Sequence, residues 1–139
     1  MFATFERTAL KLEVRRNYRI PSEDHAFQEF LEGRAPGTDW LQPWLDLVAA
    51  QTAAGKRIKR IRIVDNPPSD YLRFEMAVTP HNLRAGEDIR YLSRRRVTTL
   101  ALPDYDFWLL DAHTIVDLHF TDDDRYLGYT TTTAPHLVA

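Results

Sequence analysis

The chain has 139 residues, a formal net charge of −2 and no cysteine; 44% of its residues are hydrophobic and 27% charged. That is the size and composition of one folded domain with its own core, not of a disordered chain. The lack of cysteine excludes disulfides, thiolate catalysis and cysteine-ligated zinc or iron–sulfur centres.

Leu10, Leu12 and Val14 alternate with Lys11, Glu13 and Arg15, so the pattern predicts a half-buried strand over about residues 8–18, ended by Pro21. Ser22 is the expected cap of a first helix, with Glu23 and Asp24 in its first turn, Phe27, Phe30 and Leu31 as its apolar stripe, and Gly33 as its stop. Thr38 or Asp39 is the expected cap of a second helix. There Trp40, Leu41, Trp44, Leu45 and Val48 keep amphipathic spacing, Pro43 falls in the first turn, and Gly55 ends it. Lys56 to Val64 reads as a strand with a basic outer face, broken by Asn66-Pro67-Pro68.

Ser69 then caps a third helix carrying Tyr71, Leu72, Phe74, Met76 and Val78, expected to kink or end at Thr79-Pro80. A strand from Tyr71 to Val78 is the alternative. Gly86 stops what remains, Ile89 to Leu92 makes a short strand, and Arg94 to Asp104 reads as partly irregular. Phe107 to Leu110, the alternating Val116, Leu118 and Phe120, and Arg125 to Thr132 form a meander turned at Thr121 to Asp124, with Gly128 marking a bulge or close packing. The predicted fold is α+β: a single domain with a mixed or mainly antiparallel sheet of five or six strands, about three helices and a C-terminal β-meander.

Charge is unevenly placed. Residues 1–103 balance to +4 and residues 104–139 to −6. The densest basic stretch is Lys56, Arg57, Lys59, Arg60 and Arg62, read as a solvated strand face. Arg94 to Arg96 follow as a second run, and Asp122 to Asp124 form an acidic one. With a pI near 6.2, direct nucleic-acid binding is not expected. No apolar run approaches the roughly 18 residues of a membrane span. The first sixteen residues carry no uninterrupted apolar stretch, so no secretory signal is expected and the expected compartment is the cytoplasm.

No phosphate loop, dinucleotide-binding turn, HExxH or nucleophile elbow is present. The histidines, His25, His81, His113, His119 and His136, lack ligand spacing and read as surface or hydrogen-bonded groups. Trp40 and Trp44 read as core. Carboxylates are better placed: Glu75 lies in an apolar helix, Glu87 and Asp88 follow Gly86, and Asp106 and Asp111 bracket an apolar strand. Convergence of Glu75, Glu87, Asp88 and Asp106 would hold Mg²⁺ or Mn²⁺, and Arg73 or Arg90 beside them would suit a phosphoryl group. The structural alternative is an ion pair of Glu75 with Arg90 that fixes the helix to the sheet.

Three stretches together resemble a known family: Ser69-Asp70-Tyr71-Leu72-Arg73-Phe74-Glu75; Asn82 with Ala85-Gly86-Glu87-Asp88-Ile89-Arg90; and Asp106-Phe107-Trp108-Leu109-Leu110-Asp111. An opening of Ala9-Leu10-Lys11-Leu12-Glu13 leading to Tyr18 and Pro21 extends the likeness over nearly the whole chain. The chain resembles a large family of uncharacterised actinomycete proteins, catalogued as a domain of unknown function. Genes of that family often stand beside those of Xre-type helix-turn-helix regulators. The resemblance implies a small cytoplasmic protein, a partner or modulator of such a regulator, with no established activity and no catalytic residue to carry over; no cofactor is expected. It marks Tyr71, Arg73, Glu75, Asn82, Glu87, Asp88, Arg90, Asp106, Trp108 and Asp111 as the candidate binding site, with Tyr71 turned inward and Arg73 offered to the site.

The leading expectation is therefore a non-enzymatic interaction or small-ligand module that modulates a transcription regulator. The alternative is a metal-dependent phosphodiester hydrolase or nuclease built on the clustered carboxylates.

Overall fold

Strand β1 (Thr8–Glu13) is the middle of the molecule. In the computed structural model, which describes residues 5–100 and 102–133, two crossovers lead away from it on one side. The first runs through α1 (Asp24–Leu31) and α2 (Gln42–Ala53) to β2 (Arg57–Val64), which pairs parallel with β1. The second runs through α3 (Asp70–Ala85) to β3 (Asp88–Ser93), parallel to β2. A short helix, α4 (Arg94–Leu100), follows directly.

On the other side of β1 lies the antiparallel meander β4 (Phe107–Leu110), β5 (Thr114–Phe120) and β6 (Tyr126–Thr132). The sheet order is β3-β2-β1-β4-β5-β6, a mixed sheet that does not close. The architecture is α+β as the pattern indicates, with a fourth helix beyond the expected three.

Alternation decides which side chains meet which helices. Ala9, Ile58, Trp108, Leu110 and Val116 pack with Phe5 and with Val48 of α2. Leu12, Val14 and Ile63 point the opposite way and meet Val97 of α4. The two central parallel strands are thus covered on both faces. Above the first face, Tyr18, Leu41, Tyr71, Phe74 and Val78 form a second cluster that joins α1, α2 and α3.

Several local expectations need correction. β1 ends at Glu13, because the Val14 N–H turns to the Asp106 carboxylate (2.8 Å) and its carbonyl accepts from Arg94 (2.8 Å). Neither Ser22 nor Thr38 nor Asp39 caps through its side chain: each of the first two helices is entered through a 3₁₀ turn, Pro21–Glu23 and Asp39–Leu41. Of the stretch expected to be partly irregular, residues 94–100 are helical and residues 102–104 are irregular.

Pro80 neither ends nor breaks α3. The carbonyl that Pro80 leaves without a donor belongs to Met76, on the exposed face, where water can satisfy it. Ser69 does cap α3, accepting from the Leu72 N–H (3.1 Å), which settles the helix-or-strand ambiguity. A bulge lies where the register shifts between His119 and Phe120, opposite Gly128.

Gly86 ends α3 at φ 114°, and a Cβ there would lie 2.7 Å from Thr52 Oγ1 of α2. Gly86→Ala is expected to lower stability by about 1–3 kcal/mol. Urea unfolding checks this, and an unchanged midpoint would contradict the close approach of α2 and α3.

Candidate functional site

The inward faces of β1 and β2 carry charges. Ala9, Lys11 and Glu13 stand beside Ile58, Arg60 and Arg62 in the parallel register. Strands buried on both faces are normally apolar on both, so ionisable side chains under the helices are unusual. Glu13 and Arg62 are each 4% exposed.

Each of these charges is held by others. Arg62 donates from Nε to Glu13 Oε1 (3.0 Å) and from Nη1 to Thr79 Oγ1 (2.7 Å), and its Nη2 lies 3.4 Å from Glu75 Oε2. Thr79 in turn donates to the Glu75 carbonyl (2.7 Å). Arg60 donates from Nε to Glu87 Oε2 (2.8 Å), pairs with Glu13 Oε1 (3.4 Å), and lies over the Trp44 ring. Glu87 Oε1 accepts from Trp44 Nε1 (2.8 Å) and Asn82 Nδ2 (2.9 Å). Lys11 pairs with Glu13 (3.3 Å) and sits 5.8 Å from both the Tyr18 and Trp108 ring centres. Tyr71 donates to Glu23 (2.6 Å), and Tyr18 to Asp106.

Beside this network the helices stop short of the meander and leave a cavity of about 520 Å³. Tyr18, Trp108, Leu118 and Phe120 form apolar and aromatic walls, Lys11, Glu13, Arg60 and Glu75 its polar floor, and Arg125 and Tyr126 belong to its lining from the β6 side. A smaller hollow of about 240 Å³, walled by Trp40, Trp44 and Phe74, shares Glu23, Arg60 and Glu75 with it. Glu75 therefore belongs to both. Its Oε1 is buried and has no hydrogen-bond partner among the described residues.

A larger hollow of about 790 Å³ lies at the end of β1, but its arginines are paired: Arg15 with Asp124, and Arg16 and Arg94 with Asp65.

The electrostatics separate the carboxyl groups. Burial alone would raise Glu13, but Lys11, Arg60 and Arg62 hold it well below the usual carboxylate range. Glu75 goes the other way: burial, helped by the negative Glu13 and Glu23 and only partly offset by Arg62, pushes it up to about 8. Burial also raises Glu23 and Asp106, against their hydrogen bonds from Tyr71 and Tyr18. Burial raises Tyr18 and Tyr71 well above the ordinary phenol range, and the neighbouring carboxylates add to it.

Of the sequence-marked residues, the structure brings Tyr71, Glu75 and Trp108 to the cavity wall. Asn82 and Glu87 lie in the same network, and Asp106 sits behind Tyr18. The other four are elsewhere. Arg73 points outward on α3 and pairs with Asp70, so it is not offered to the site. Asp88 and Arg90 pair with each other in the open (2.9 Å), and Glu75 takes Arg62 rather than Arg90 as its partner. Asp111 accepts the N–H groups of Glu6, Arg7 and Thr8 at the far end of β4.

The carboxylates do not converge as a metal site requires. Among the described residues no three histidines or carboxylates are placed to hold a metal ion, and both oxygens of Glu87 and of Asp106 already accept hydrogen bonds. His113 and His119 bond to Thr114 and Thr130 separately, and His136 lies outside the described residues.

Lys11, Glu13, Glu23, Arg60 and Arg62 are the site residues that the pattern hid. The basic strip of β2 is not one solvated face: Arg57 and Lys59 are exposed, while Arg60 and Arg62 are turned beneath the helices. The available signal was two alternating strands, each with charges along one face, within a chain that has helices to place over them.

The fold and the site define a small α+β protein with a ligand-sized, charged pocket between its sheet and its helices. No helix of the described residues is long and apolar enough to cross a membrane. The chain belongs to the family described as domain of unknown function DUF6879, whose model matches residues 1–139. No curated protein matches it.

Glu75 favours the folded state in its protonated form, since its value of about 8 exceeds the ordinary 4.5. That contribution is fully present below the ordinary value and is lost as pH rises through about 8. Glu13 acts oppositely: it supports the fold above its ordinary value, and that support is lost in acid. Glu75→Gln is expected to flatten the decline in stability between about pH 5 and about pH 9. Urea unfolding at both pH values checks it, and a variant with the parent's slope would rule out Glu75 as its origin.

Proposed function

We propose that the protein binds a small organic ligand in the cavity between α3 and the meander, without catalysing its conversion, and that occupancy modulates a partner. The observation that carries this reading is Glu75: a buried carboxyl with an unpartnered oxygen, shared by two hollows with aromatic walls. Leaving such an atom unsatisfied is unfavourable, by about 1–3 kcal/mol, unless something else compensates, and a ligand polar group does so. The cavity volume of about 520 Å³ lies within the range of small-molecule sites, roughly 300–1,000 Å³.

The partner in this reading is a helix-turn-helix transcription regulator in the cytoplasm. The motif resemblance supports that choice. So does the placement of exposed Tyr126, Leu127 and Tyr129 on edge strand β6, beside the cavity, where a ligand-dependent contact could form.

The test is thermal unfolding in the presence of small-molecule fractions of cell extract. A ligand at about 100 times its Kd stabilises by about 2.7 kcal/mol, which is a Tm rise of several degrees. Tyr126→Ala, which removes a wall residue and its edge contact with Phe120, should lower basal stability by about 0.5–1.5 kcal/mol and weaken the ligand-induced shift measured from that new baseline. If no fraction raises Tm, or if Leu118→Trp, which fills the cavity, responds like the parent chain, the reading is wrong.

A further inference from the structure

The charge arrangement around the cavity names the chemical class of ligand, an inference that rests on the cavity being a binding site. Every basic side chain lining it already has a carboxylate. Lys11 has Glu13, Arg60 has Glu13 and Glu87, and Arg19 and Arg125 share Asp123 (3.5 and 3.4 Å).

The converse does not hold. Among the described residues Glu75 has one long contact, 3.4 Å to Arg62 through Oε2, and no hydrogen-bond partner on Oε1. Glu23 accepts from the Tyr71 hydroxyl and forms no ion pair among the described residues. Both line both hollows, and both are raised by burial. The lining groups left without a full partner are therefore acids, not bases. Its walls also suit a cation: Lys11 already lies over Trp108, Arg15 over Phe120 and Arg60 over Trp44, so these aromatic rings accept positive charge.

We infer that the pocket takes an organic cation, an ammonium or amidinium group on an apolar or aromatic body, with its head at Glu75 Oε1 and the Glu23 carboxyl and its body against Trp108 and Phe120. The proton balance of binding follows. The groups facing Glu75 are Glu13 on β1, Arg60 and Arg62 on β2, Glu23 before α1, and Tyr71 and Thr79 on α3. The bases among them are already paired, so a cation at Oε1 drives the Glu75 proton into the buffer: the protonated carboxyl and the ammonium give an ion pair plus one released proton. An anionic ligand would instead hold that proton in place.

The experiment is calorimetric titration of the full chain with 2-phenylethylamine, 3-phenylpropionate and 2-phenylethanol, which share a ring and differ in the charge of the head. Near neutral pH the amine is expected to bind about 10-fold or more tighter than the other two. Its heat should change between buffers of different ionisation enthalpy as proton release requires. Glu75→Gln should weaken the amine about 10-fold or more while leaving the alcohol unchanged. The comparison among ligands on the parent chain stands whether or not that variant folds.

Equal or tighter binding of the propionate or the alcohol overturns the cation inference and leaves the pocket as a ligand site. So does failure of all three where an extract fraction still raises Tm. If none of the three binds and no fraction raises Tm, both readings fall.

Discussion

Arg62 places a guanidinium between two carboxylates from different elements, Glu13 on β1 and Glu75 on α3, under a layer of helices. Much of the interior depends on that contact. Arg62 joins the central strand pair to the longest helix, and Thr79 and Tyr91 complete its hydrogen bonds. Removing one member of such a buried set typically destabilises by about 3–5 kcal/mol, because the charges left behind cannot reach water. Replacing the whole set with apolar residues would often be neutral or better. Stability alone therefore gives little reason for placing charge here.

The same network accounts for the opposite behaviour of its two glutamates. Glu13 is surrounded by Lys11, Arg60 and Arg62 and stays ionised. Glu75 reaches one guanidinium at 3.4 Å, and burial with the negative Glu13 and Glu23 outweighs Arg62 and Arg60. One carboxylate is structural and the other is left uncompensated at the cavity. Separation of this kind within a few side chains is what marks binding and catalytic sites. Tyr18, Tyr71, Phe74 and Phe120 line the same hollows as Glu75 and contribute to the burial that raises it.

Most elements were legible because their signals are local. Alternation marks β1 and β2, Ser69 and Gly86 bracket α3, and the meander carries its own turn. The caps at Ser22 and Thr38 were misread because 3₁₀ turns, not side chains, start those helices. The site was legible only in part. Tyr71, Phe74, Glu75, Val78, Thr79 and Asn82 share the buried stripe of α3, and that stripe excludes Arg73. Likewise Ile89 and Tyr91 take the inward positions of β3, which turns Asp88 and Arg90 away. Lys11, Glu13, Arg60 and Arg62 were hidden because alternation says that two faces differ, not which one a helix will cover. That depends on long-range packing.

The ligand reading rests on Glu75, a buried carboxyl whose Oε1 has no hydrogen-bond partner among the described residues. A carbon-13 NMR titration of the Glu75 side-chain carboxyl in the ligand-free protein tests it most directly. The account predicts a midpoint pushed up to about 8. A midpoint at the ordinary glutamate value of 4.5 would contradict it, because the group would then already be compensated or in contact with water.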